Sequence, residues 1–213
     1  MHVIGPRVIL RQWSDDDLPV FAEMNADALV MEFFPKKLSL EESREFYSRI
    51  KHGIQERGWG LWAVEITGEL AGYTGLAKPA FEAPFMPCTE IGWRFRPRFW
   101  GQGYASEAAR LALLFAFRTL HLGEVVSFTA RVNRRSIRLM ERVGMVHRPE
   151  DDFDHPKVPA GHVLRPHVLY RLKNSPEAIA NLKMELGAWP NWRASPPDGR
   201  PGKWGGPQGQ RVL

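Results

Sequence analysis

Thr89 to Phe117 reads TEIGWRFRPRFWGQGYASEAARLALLFAF, and no other stretch restricts the fold as much. Thr89 to Phe95 has the character of a strand. A basic turn with Arg98, Gly101, Gln102 and Gly103 follows, and an amphipathic helix starts near Ala105. Ala108, Leu111, Ala112 and Phe115 recur at steps of three and four, which draws one apolar stripe along that helix. The first backbone N–H groups of a helix have no partner inside it and lie at the positive end of its dipole. Glycines just before it let the chain bend sharply and let a ligand approach. The expected product is a nest of donors for a phosphate or pyrophosphate, with the charge of Arg98 beside it.

Other readings of the glycines fit less well. A dinucleotide fingerprint G-x-G-x-x-G/A needs Gly or Ala where Ser106 stands, and an acid at the end of the next strand, whereas Glu124 lies at the start of the next apolar run. No Gly-Lys-Ser/Thr follows, so the turn is not a P-loop. A plain glycine turn without a ligand is the remaining alternative.

Arg98-x-x-Gly101-x-Gly103-x-Ala105 resembles the acetyl-CoA pyrophosphate loop of the GNAT superfamily of N-acetyltransferases. The longer string WGQGYASEA looks like the branch that contains the ribosomal-protein N-terminal acetyltransferases. A second signature, NRRSIRLMERVGM with Asn133, Ser136, Glu141 and Gly144, is similar to the cofactor-side helix of that branch. The resemblance spans about residues 5–173. It implies an α/β (α+β) fold: a mixed, largely antiparallel central sheet, splayed at the middle, with helices on both faces. It also implies acetyl-CoA as co-substrate, no metal, and acetyl transfer to a primary amine by direct attack in a ternary complex.

The resemblance further implies site residues. Trp93, Arg94, Phe95 and Arg96 would lie along the cofactor arm. Arg98, Gly101, Gln102, Gly103, Tyr104 and Ala105 would form the pyrophosphate loop. Asn133 would bind the pantetheine arm or an ordered water, and Ser136 would protonate the departing thiolate. Asn133 is also a natural helix N-cap, with Ser136 three positions on, so capping alone accounts for both. A Glu at the position of Glu90 recurs in the family; strict alternation puts Glu90, Gly92 and Arg94 on one face and Ile91, Trp93 and Phe95 on the other. A partly desolvated Glu90 carboxylate facing the cleft could act as general base. Asp151, Asp152, Asp154 and His155 are rivals, as is Tyr170. Cys88 could be a nucleophile, but no histidine pairs with it in the sequence.

The remaining elements follow from local signals. Arg7 to Gln12 reads as a strand, with Ser14 capping a helix over about Asp16 to Met24. Asp27 to Phe34 is expected as a short helix ending before Pro35. Ser39 and Glu42 fit a capping box for a helix to about Gln55, ended by Gly58. Leu61 to Ile66 and Leu70 to Leu76 around Thr67-Gly68 read as a hairpin. Lys78 to Cys88 is a loop whose apolar Phe81, Phe85 and Met86 are expected to pack on the body, with lining of an acceptor pocket as the alternative. Val125 to Arg131, Met145 to His147 and His167 to Leu172 are strands, and Asn133 opens a helix closed by Gly144.

Residues 1–173 are expected to form the catalytic domain. Residues 174–213 are expected as an extension, a short helix over Ser175 to Leu186 and then an irregular Pro/Gly-rich tail. Trp189, Trp192 and Trp204 in that tail suggest docking on the body or on a second subunit of a homodimer. An apolar fraction of 44% supports a sizeable core. The longest apolar run, Leu111 to Phe117, is far too short for a membrane span. No signal-peptide layout opens the chain and Cys88 is the only cysteine, which favours the cytoplasm. The net charge of +5 is spread out, with no dense basic tract, so nucleic acid is an unfavoured partner. Two alternatives stay open: a non-catalytic acyl-CoA sensor and, below it, a nucleic-acid-binding module. The acceptor, a protein N-terminus or a small-molecule amine, is set by loops and is not legible.

Overall fold

The computed structural model describes residues 2–186. Its strands are β1 (His2–Ile4), β2 (Ile9–Arg11), β3 (Leu61–Ile66), β4 (Glu69–Ala77), β5 (Glu90–Phe95), β6 (Glu124–Ala130), β7 (Val146–His147), β8 (Phe153–Asp154) and β9 (Pro166–Lys173). The helices are α1 (Asp17–Ala26), α2 (Leu40–Arg57), α3 (Tyr104–Arg118), α4 (Arg134–Arg142) and α5 (Pro176–Met184). The strands form one sheet in the order β1-β2-β3-β4-β5-β6-β9-β7, with β8 also on β9. Every neighbouring pair is antiparallel except β5 with β6.

The two faces can be told apart by following β4. Tyr73 meets Phe21 of α1 and Phe46 of α2. Its neighbour Thr74 points the other way, opposite Trp62 of β3, and Trp62 packs edge-on to Phe115 of α3 at 5.1 Å. Helices α1 and α2 therefore cover one face and α3 the other. The stripe of α3 is broader than its periodicity requires, since Ser106 to Phe117 are all buried. Part of the reason is α5, which packs on α3 with Leu182 buried and Glu185 near Arg110.

Most local signals hold. Ser39 and Glu42 form the full capping box of α2, and Gly58 closes it in the left-handed region. Thr67 and Gly68, both at positive φ, make the two-residue hairpin turn. Gly144, at φ 85°, follows α4. Two expectations need correction. Ser14 does not cap α1; instead Asp17 reaches back to accept the Ser14 N–H at 2.8 Å, while Arg11 holds both its oxygens. Residues 27–34 are turns rather than a helix. The Asp27 carboxylate accepts the N–H groups of Leu29 and Val30 at 2.7 and 3.3 Å and the Met31 N–H reaches the Asp27 carbonyl at 3.0 Å, a capped first turn that is not propagated before Pro35. The short edge strands β1 and β8 were not expected from sequence. The tail tryptophans lie outside the described residues.

Candidate functional site

The parallel pair at the middle of the sheet holds together at one point only. Glu90 stands opposite Val126, and the Val126 N–H donates to the Thr89 carbonyl at 2.9 Å. Past Glu90 the strands part, and a cavity of about 770 Å3 opens in the gap. Its walls come from β5, the start of α3, β6, α4, the α1–α2 connection and the loop before β9.

One end is made of backbone. Pro97 to Phe99 form a single 3-10 turn, and Gly101 and Gly103 follow at φ 74° and 82°. A Cβ at Gly101 would touch nothing within 4 Å, so the glycine is there for its backbone angle rather than for room. Gly103 stands at the N-cap of α3 with no side-chain cap. The first helical bond is Glu107 N–H to Gly103 O at 3.0 Å. The N–H groups of residues 101–106 have no hydrogen-bond partner among the described residues. Gly101, Gly103, Ala105 and Ser106 line the cavity, together with Arg138 and Arg142 of α4. The turn is braced from behind. Gln102 donates to the Arg98 carbonyl at 2.8 Å, and Arg7 donates to the Gln102 carbonyl at 3.0 Å. Glu107 in turn holds the Arg7 and Val8 amides and the Arg7 guanidinium.

Beside this turn, Trp93 Nε1–H donates to Ser136 Oγ at 2.9 Å. The Ser136 amide donates to Asn133 Oδ1 at 3.1 Å, and Asn133 Nδ2 donates to Thr129 Oγ1 at 2.9 Å. Asn133 is thus the N-cap of α4 and a strut between α4 and β6. Ser136 Oγ receives a hydrogen from Trp93 and keeps its own hydrogen free to donate into the cavity.

The other face of β5 carries Glu90, Gly92 and Arg94. Glu90 lines the cavity, ringed by protein, with no hydrogen bond or ion pair to its carboxylate among the described residues. Burial pushes its pKa up to about 8. Arg94 pairs across the sheet with Tyr73, which puts its side chain on the α1–α2 side. Its Nη1 donates to Asn25 of α1, and Phe34 lies over the guanidinium at 4.1 Å. Burial lowers its pKa.

The far wall holds two histidines with ring centroids 4.9 Å apart. His155 Nδ1 accepts the Lys157 N–H at 3.2 Å, and burial followed by the field of His167 lowers its pKa to about 4. His167 Nδ1 sits 3.0 Å from the Arg165 carbonyl, so it carries the hydrogen and leaves Nε2 as a lone pair. His167 entered the sequence reading only as a strand residue; nothing in its neighbours marks it, because its site partner arrives through strand pairing with β8.

The structure brings Glu90, Trp93, Arg94, Phe95, Gly101, Gly103, Ala105, Asn133 and Ser136 to one cavity. Arg96, Arg98, Gln102 and Tyr104 do not line it. Arg98 pairs with Glu69 and lies over Phe99, Arg96 donates to the Leu70 carbonyl, and Tyr104 stacks under Arg7. Of the rival bases, His155 stays in the cavity wall and the others are engaged elsewhere. Asp151 binds Arg171, Asp152 binds Arg131 and His147, Asp154 binds Arg165, and Tyr170 donates to Glu141 at 3.0 Å. Cys88 lies outside the cavity against Met86, and burial pushes its thiol up to about 11. Phe81 and Phe85 pack with Phe128 and Phe153, as expected of a loop docked on the body.

Known proteins share much of this arrangement. The family model described as the acetyltransferase (GNAT) domain matches residues 7–146. A Bacillus subtilis protein, YkkB, is 31% identical over 67% of this chain and 84% of its own length. YnaD of the same organism, described as an N-acetyltransferase, is 27% identical over 68% of this chain and 82% of its own length. A solved GNAT-family acetyltransferase from Bacillus anthracis superposes with a TM-score of 0.67 at 27% identity, covering 82% of this chain and 99% of that one.

Proposed function

Because this chain belongs to the GNAT acetyltransferase family and is an acyl-CoA-dependent N-acetyltransferase, we propose that it moves acetyl from acetyl-CoA to a primary amine in a ternary complex, with Glu90 and Ser136 handling the protons. The observation that carries this reading is the convergence of three things on one cavity: the free amides of residues 101–106, the Ser136 hydroxyl and the unpaired Glu90 carboxylate.

In this scheme the turn and the α3 N-terminus hold the pyrophosphate. The residues along β5 then fix where the thioester sits, and holding two substrates in line supplies much of the rate. Ionised Glu90 accepts a proton from the acceptor nitrogen as it attacks the thioester carbonyl. The tetrahedral intermediate collapses with loss of the sulfur. Ser136, its oxygen polarised by Trp93 N–H, delivers a proton to the departing thiolate and regains one from water, while Glu90 gives the amine's proton back to solvent. The products are the N-acetyl amine and free coenzyme thiol, and no acyl group passes through the enzyme. Gly101, Gly103 and Ala105 belong to the coenzyme side, with Asn133 holding Ser136 beside them; Gln102, Tyr104, Arg96 and Arg98 shape the turn from behind. The acceptor amine enters from the side of the α1–α2 connection.

A thiol-release assay with a panel of amines tests the reading. Amine-dependent release of coenzyme thiol, with N-acetyl product by mass spectrometry, is expected. Thiol release at the same rate with and without amine would overturn it.

A further inference from the structure

Arg94 is 7% exposed and forms no ion pair among the described residues. The contrast with Arg110 is direct. That arginine, equally buried, has Glu185 at 3.4 Å and the Arg142 carbonyl at 2.8 Å. Arg94 has only the neutral Asn25, which Ser43 holds in turn at 3.3 Å, and the rings of Phe34, Tyr73 and Phe46 at 4.1, 5.4 and 5.9 Å. Its Nε is sealed from solvent without an acceptor. Its Nη2 also has no partner among the described residues, but it is not sealed, and Arg94 lines the cavity. A buried guanidinium with no counter-charge and two unspent donors on one edge is costly unless a ligand completes it.

The surroundings say where that ligand lies. Arg94 and Glu90 share one face of β5 with only Gly92 between them. A Cβ on Gly92 would meet nothing within 4 Å, so the floor between the two charges is open. Trp93 and Ser136, the coenzyme side, are on the opposite face. This separates Arg94 from the coenzyme arm, where the family resemblance would place it.

We propose that Arg94 is a specificity-determining residue that binds a carboxylate on the acceptor, so that the acceptor is an amine carrying an acidic group. The assignment rests on the acetyl-transfer reading above. The amine points to Glu90 and the carboxylate takes Nη2 of Arg94, the guanidinium nitrogen left open toward the cavity. Four residues of strand separate the two Cα atoms by about 13 Å, and that spacing sets the scale of the gap the acceptor spans. Acceptors of this kind include an ω-amino acid of about five carbons and a peptide N-terminus followed by an acidic side chain.

The test compares matched pairs on the wild-type enzyme: glycine with glycinamide, 5-aminopentanoate with its amide, and the dipeptides Ala-Glu and Ala-Gln, each at a pH where the amines are equally deprotonated. For at least one pair kcat/KM should favour the acid by about 100-fold. A preference in the glycine or 5-aminopentanoate arm identifies a free amino acid, and one in the Ala-Glu arm an acidic peptide N-terminus; each supports the proposal. Arg94→Gln should bring the ratio near one while calorimetric affinity for coenzyme A stays unchanged. Equal rates for acid and amide, a preference for the amide, or a loss of coenzyme affinity in Arg94→Gln would overturn the assignment and leave acetyl transfer standing. Coenzyme binding with no turnover of any amine would overturn acetyl transfer and this assignment together. The wild-type ratios decide the matter even if the variant does not fold.

Discussion

The two ends of the cavity are built on different principles. The proposed coenzyme end is backbone: six consecutive residues, 101–106, present amides with no partner among the described residues. The proposed acceptor end is side chains, Glu90 and Arg94 from β5, His155 and His167 from the last third of the chain, and Phe34 from a turn. A donor made of backbone survives truncation of any one side chain, so it is disturbed by adding something. A donor or base made of a side chain is lost when that side chain is cut. The contrast therefore predicts opposite sensitivities at the two ends.

The largest effect is expected where charge is added to the amide nest. Gly103→Glu should raise the dissociation constant for coenzyme A at least about 100-fold, since a carboxylate then occupies the positive helix terminus. Gly103 also sits at φ 82°, so any side chain strains it by about 1–2 kcal/mol. Gly103→Ala carries that strain without the charge and should weaken binding far less. Calorimetry on both variants separates the terms. Equal losses would mean that the turn acts through its shape and not through its field.

At the other end, Glu90→Gln should lower kcat by about 100-fold and leave coenzyme affinity intact. The pH profile gives the sharper signal. A base with a pKa of about 8 must be ionised to work, so kcat/KM should rise through that pH and then level off. With a weakly basic acceptor amine, so that the substrate does not titrate in the same range, the limb should vanish in Glu90→Gln. The same residue has a stability signature. Its folded pKa lies above the usual 4.5, so the folded state holds the extra proton. Stability from this group is present below about 4.5 and is lost as pH rises toward 8. Thermal melts should show Glu90→Gln gaining on wild type across that window. A constant difference between the two proteins at every pH would remove burial as the cause of the shift.

The same contrast accounts for what could be read from sequence. The nest was legible because its parts are contiguous: glycines, a helix start and a preceding strand all fall within Thr89 to Phe117. Asn133 and Ser136 were legible for the same reason, as a cap and its partner three residues on. Glu90 was placed on the correct face by alternation, yet its isolation in the cavity depends on where β6 diverges. Arg94 was grouped with its neighbours in sequence, and only the register Tyr73 to Arg94 shows that it leaves them for the α1–α2 side. The α1–α2 connection does begin as a capped turn at Asp27, and the apolar spacing alone does not reveal that the turn stops before Pro35. His167 owes its place in the cavity wall to strand pairing alone.

A smaller change separates chemistry from capping at Ser136. Ser136→Ala removes the hydroxyl but keeps the amide that donates to Asn133, so α4 should remain capped and the fold should hold. The expected loss is about 10-fold in kcat, with coenzyme affinity unchanged, because a proton source for the sulfur is gone. Single-turnover measurement of thiol release isolates that step. An unchanged kcat would reduce Ser136 to a polar partner for Trp93.

The smallest effect belongs to Asn133, where the structure predicts a residue that works at one remove. Asn133→Ala strips the cap from α4 and leaves the Ser136 amide unpaired, at a cost of about 1 kcal/mol in stability. Asn133→Asp keeps an acceptor at the same place, and the Thr129 hydroxyl can turn to donate to it, so its melting temperature should match wild type. If the role of Asn133 is to hold Ser136 in position, its effect on turnover passes through that hydroxyl. The double variant Asn133→Ala with Ser136→Ala should then turn over no more slowly than Ser136→Ala alone, a cycle with strong coupling. Additive losses would show instead that the Asn133 amide touches a substrate directly, and would move it from the scaffold to the coenzyme-binding surface.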